Sequence, residues 1–116
     1  MIGLSFNAAL APVLILLASG LMAMAWMVHL RYRHWTFRKA LLVSWLLVLP
    51  EYVLNVWATR LGHSYYTGAE MAALHLSGGV IFVALLAHFL LDEALTRRQV
   101  SGFALMSVAI VIVLWP

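Results

Sequence analysis

Four long apolar stretches dominate the chain: about Asn7 to Leu30, Phe37 to Ala58, Ala69 to Leu91 and Arg98 to Trp115. Three short polar stretches separate them. Roughly 20 residues carry an α-helix across a ~30 Å hydrocarbon core. The pattern therefore predicts an all-α membrane protein, a four-transmembrane-helix bundle with short loops, forming a single domain over residues 1–116. Local signals support these elements. Pro12 falls near the expected start of the first segment, where a helix tolerates proline best. Gly62 and Gly68 mark breaks around the second loop. Thr67 with Glu70 three residues on has capping-box spacing, and Thr96 is placed to cap the last helix. Small residues at Ser19, Gly20 and Ala23, at Gly78 and Gly79, and at Gly102 and Ala109 would let helices approach closely.

Composition strengthens the membrane reading. The 116 residues are 66% hydrophobic and only 9% charged, against about 45–50% and about 25% in soluble domains. The net charge is +3. That excess does not indicate nucleic acid, because it sits in the short loops. The first and third loops carry Arg31, Arg33, Arg38, Lys39, Arg97 and Arg98, and the second carries only Arg60. By the positive-inside rule the first and third loops face the cytoplasm and both termini lie outside. Interfacial aromatics are expected at Trp26, Tyr65, Tyr66 and Trp115. There is no cysteine, hence no disulfide framework and no thiol chemistry. His29 and His34 lack the spacing and the neighbours of a metal site. No metal, cofactor or enzyme activity is expected.

Candidate chemistry gathers in the second segment. Glu51 is the only acidic residue well inside an apolar stretch, where a carboxylate costs about 2.5–3.5 kcal/mol on insertion scales. Such a group must be paired, protonated or facing water. Helical spacing puts Ser44, Glu51, Asn55 and Thr59 near one face. Pro50 removes a backbone donor just before the acid and frees the carbonyl near Leu46, so a kink opening space beside Glu51 is expected. Across the bundle, His75 is the best ionisable partner. Glu51 lies about eight residues before the second loop and His75 about five after it, so at 1.5 Å per residue their depths differ by only about 5 Å. His88 lies nearer a helix end and reads as structural.

Several short stretches, in order, resemble the drug/metabolite transporter (DMT) superfamily, and most of all its short four-helix bacterial proteins of no assigned function. Ala25-Trp26-Met27-Val28-His29-Leu30-Arg31 is like that group's AWYxHLK, Val43-Ser44-Trp45 like its VSW, and Glu51-Tyr52 like its EY. Ala58-Thr59-Arg60-Leu61-Gly62 resembles its ANRIGY stretch, and Asp92-Glu93-Ala94-Leu95 stands where the superfamily often has x-E-P-L. The chain departs from the pattern at Gly20, where an Asn is usual, at Pro50, and at His75-Leu76, where a Gln-Glu pair is usual.

The resemblance implies a small multidrug-resistance-like bundle of the transporter class, in a bacterial inner membrane, and no particular substrate. The corresponding expectation is proton- or cation-coupled movement of a small polar or cationic solute. Glu51 would be the exchanging group, with Asn55, His75 and Trp26 as wall residues. Because four helices rarely enclose a path, a homodimer or other membrane-protein subunits are expected as partners beside the lipid bilayer. The alternative expectation is a non-catalytic packing or assembly subunit of a larger membrane complex, with Glu51 as a buried hydrogen-bonding residue.

Overall fold

The computed structural model describes residues 2–115, with side chains from Phe6 onward. Its four helices are α1 (Ile2–Arg31), α2 (Phe37–Gly62), α3 (Gly68–Leu90) and α4 (Arg97–Leu114). All four are long and apolar enough to cross a membrane. The protein is a multi-pass four-helix membrane bundle. Threonine side chains open the last three helices: Thr36, Thr67 and Thr96 each accept from a backbone N–H three residues on. Thr67–Glu70 and Thr96–Gln99 form complete capping boxes.

α1 is the centre of the bundle. It packs against both α2 and α3, α4 packs on α3, and α2 and α3 barely meet. The reason is side-chain size. Ala11, Ala18, Ser19, Ala23 and Ala25 are all buried on α1, so two neighbouring backbones can come close on different sides of it. Glycines complete the crossings. A Cβ at Gly78 of α3 would sit 3.1 Å from Ser19 Oγ and 2.9 Å from Leu16 Cδ2. One at Gly62 of α2 would sit 2.9 Å from Ala11 Cβ. Leu14, Ile15, Ala58 and Met71 form the buried apolar cluster between these crossings.

Two expectations about α1 and its surroundings are corrected. The helix starts at Ile2, so Pro12 lies well inside it rather than near its start. Proline has no N–H to give the carbonyl four residues back, which is that of Ala8. The Tyr66 hydroxyl, from the loop between α2 and α3, donates to that carbonyl at 2.5 Å. Tyr66 is thus a lock between the loop and α1 as well as an aromatic near a helix end. Gly102 and Ala109 of α4 are both exposed, a Cβ at Gly102 would touch nothing within 4 Å, and no residue of α4 is buried, so the small-residue face expected there is not buried within the chain.

At the opposite end from Tyr66, the first loop is held by Tyr32 stacked on Trp35, with ring centroids 4.8 Å apart, and by Lys39 over Trp35. Arg31, the last residue of α1, donates from Nη1 to the Leu90 carbonyl at 2.6 Å. That caps the C-terminus of α3, where exposed carbonyls and the helix dipole favour a cation. Asp92 follows with φ 56°, a left-handed residue that turns the chain toward α4.

Candidate functional site: a buried carboxylate–imidazole pair beside a cavity

α2 continues through Pro50 as one helix. Pro50 faces outward, and Glu51, next along, faces inward and is completely buried. Its Oε1 lies 2.9 Å from His75 Nε2. Asn55, one turn on, donates from Nδ2 to the same oxygen at 3.4 Å, a long bond. Oε2 is buried with no hydrogen-bond partner. An unpaired carboxylate oxygen in an apolar interior costs on the order of 1–3 kcal/mol or more. The pair is therefore incompletely satisfied.

The depth count from the sequence placed Glu51 and His75 within reach, and the fold brings them into contact. α1 fixes the register between them. Ser19, buried on α1, has its hydroxyl 2.9 Å from the backbone carbonyl of His75 and 2.9 Å from that of Ile15 in its own helix. One hydroxyl proton is shared between the two acceptors. With Gly78 seated against Ser19 one turn further on, α3 cannot slide along α1 without losing both contacts.

His75 is the member of the pair that reaches open space. Its side chain is 19% exposed while that of Glu51 is 0% exposed. It lines a cavity of about 700 Å³, open along one side, between the ends of α2 and α3 near the second loop. Ile15 of α1 contributes to the apolar lining, and the polar lining is Asn55, Thr59, Arg60, His63 and His75. The space expected beside Glu51 is therefore displaced outward by about one turn. The acid stands behind the imidazole and is not part of the wall.

Of the residues singled out in the sequence, Glu51, Asn55 and His75 come together and Trp26 does not. Trp26 is 57% exposed and lines two other recesses, one with His29, Phe37 and Ser44 near the first loop and one with Gln99 and Phe103 against α4. Thr59, Arg60 and His63 were not among the predicted site residues. The predicted second segment stopped at Ala58, which put Thr59 and Arg60 in a loop. The helix runs on to Gly62 and carries both of them along the cavity. The stripe Glu51, Asn55, Thr59 at steps of four was the signal that could have extended it.

From α1, Ser19 reaches the backbone of His75 and Ile15 shares the cavity wall with it, both uncharged, and the other ionisable groups on that wall are Arg60 and His63. A carboxyl and an imidazole in direct contact can hold one proton in two arrangements, as acid with neutral imidazole or as carboxylate with imidazolium. The arrangement can thus store a proton next to a solute-sized space.

Comparison with known families agrees with this architecture. The family whose model matches the chain is described as "Putative member of DMT superfamily (DUF486)", and the match covers residues 12–114. No curated protein and no solved structure matches the chain. The matched span contains Ser19, Glu51, Asn55, His75 and the whole cavity lining, and reaches into all four helices. The chain belongs to this family, grouped with the drug/metabolite transporters.

Proposed function

We propose that this protein is a transporter rather than an enzyme, moving a small polar solute in exchange for, or together with, a proton carried by the Glu51–His75 pair. The observation that supports this reading is the placement of the pair. Its acid is fully buried and incompletely hydrogen-bonded, and its imidazole forms part of the wall of a 700 Å³ cavity. Ionisable groups inside a membrane segment mark proton and ion pathways. Volumes of about 300–1,000 Å³ are typical of sites for small organic ligands. Asn55 and Thr59 supply neutral hydrogen-bonding groups along the same wall.

The loop charge bias supports a bacterial inner-membrane protein with both termini and the cavity end outside. α4 has no buried residue, which favours a working unit larger than one chain, a homodimer or a complex with other membrane subunits. The same observation supports the second reading, in which the protein is an assembly subunit and Glu51 only a packing partner for His75.

The test uses purified protein in liposomes loaded with a pH-sensitive dye, challenged with gradients of anionic and cationic solutes. For a transporter, Glu51→Gln keeps the fold and abolishes solute-driven proton movement. A Glu51→Gln protein that moves protons like the wild type overturns the reading. So does a wild type that moves none with any solute.

A further inference from the structure

We infer that the cavity between α2 and α3 takes an organic oxyanion, a carboxylate or phosphate ester, and that the anion travels with a proton; this rests on the transport reading above. The acid of the pair had suggested a cation. Side-chain placement argues the opposite. The ionisable residues on the cavity wall are Arg60, His63 and His75, all of basic type. Glu51 is shielded behind His75 and has no exposed surface. The nearby Glu70 does not line this cavity. It accepts from the Thr67 backbone N–H at 2.9 Å and lines a different recess with Pro12 and Leu114.

Arg60 makes no ion pair among the described residues. A guanidinium at a cavity mouth without a counter-charge repels a cation and offers a planar fork matched to carboxylate or phosphate oxygens. Asn55 and Thr59 lie further in, between Arg60 and the pair. The Thr59 hydroxyl donates back to the carbonyl of Asn55 at 2.8 Å, and one Asn55 N–H is taken by Glu51, so the Thr59 oxygen lone pairs, the Asn55 side-chain oxygen and its second N–H are left for the polar body of a solute.

Coupling follows from position. An anion seated against His75 and a proton on the pair carry opposite charges, so each stabilises the other when bound, and the linkage is reciprocal. Anion and proton then move in the same direction. Ser19, bonded to the His75 backbone, and Ile15, beside His75 on the wall, are neutral and contribute no competing charge.

The experiment uses the full chain in dye-loaded liposomes, with protein-free liposomes to subtract leak. The oxyanion probes are gluconate, succinate, glycerol phosphate and inorganic phosphate, and the cation probes are choline and tetraethylammonium. An inward oxyanion gradient should acidify the lumen, and the probe that works best separates carboxylate from phosphate recognition. Arg60→Gln should lower the rate at sub-saturating probe by about tenfold or more, as loss of a charge-assisted contact does, while Arg60→Lys retains most of it. Oxyanion flux that ignores Arg60→Gln overturns the inference. Proton movement driven only by the cation probes overturns it and leaves the transport reading standing. Absence of movement with every probe overturns both.

Discussion

The Tyr66 hydroxyl hydrogen-bonds the carbonyl of Ala8, the acceptor that Pro12 leaves without its helical donor. A side chain 58 positions away in the sequence thus replaces a backbone bond. Tyr66→Phe should cost about 1 kcal/mol of stability, the usual net value of one hydrogen bond. In a Pro12→Ala background the residue at 12 regains an N–H, and Tyr66→Phe should then cost clearly less. Unfolding of the wild type and the three variants in detergent measures the coupling. Equal costs in both backgrounds would mean the proline and the tyrosine are unrelated.

The adjacent glycines of α3 should behave oppositely. Gly78→Ala forces a methyl against Ser19 and Leu16, and overpacking of this kind costs about 1–3 kcal/mol. A methyl at Gly79 would meet nothing within 4 Å, and Gly79→Ala should be neutral or stabilise by up to about 1 kcal/mol through helix propensity. Thermal unfolding midpoints of the two variants decide it, and similar shifts in the same direction would contradict the packing described.

Removing one partner of the buried pair should be worse than removing both. Glu51→Leu leaves His75 Nε2 facing an apolar group, and His75→Leu leaves a buried acid with only the long Asn55 contact. Each should destabilise by about 2–5 kcal/mol. The double replacement should cost less than the sum of the two, since no polar group is then stranded. Additive losses in a double-mutant cycle would show that the 2.9 Å contact carries no coupling energy.

Orientation is tested by labelling. With six Lys/Arg in the first and third loops against one in the second, a cysteine added after Trp115 should react with an impermeant reagent from outside in nearly every molecule. An even split would overturn the single orientation and restore the case for an antiparallel homodimer.

Much of this was legible in the sequence for simple reasons. Hydropathy and charge report a membrane fold directly, because the bilayer imposes one length on every span. The Glu51–His75 contact could be counted because two helices joined by a short loop must run antiparallel at matched depth. Thr67 and Thr96 act locally, so their caps were visible as spacing. What escaped depends on where helices end and which neighbour they find. Starting α1 at Asn7 hid the carbonyl that Pro12 frees, and with it the role of Tyr66. Ending α2 at Ala58 put Thr59 and Arg60 in a loop, although helical spacing places Thr59 on the Glu51 face, and so kept both out of the site. Trp26 sits near the first loop in both descriptions. Its assignment to the site required the cavity to extend along the bundle, and a buried acid behind an imidazole does not reveal from sequence which side is open.

The Arg31–Leu90 contact has a consequence for how orientation can be engineered. One guanidinium both belongs to the basic cluster from which the orientation is predicted and closes the end of α3. Neutralising Arg31 would confound a misrouted protein with a correctly routed one whose third helix frays. Charge transplants meant to invert the molecule should therefore draw on Arg33, Arg38 and Lys39, whose removal leaves that closure in place.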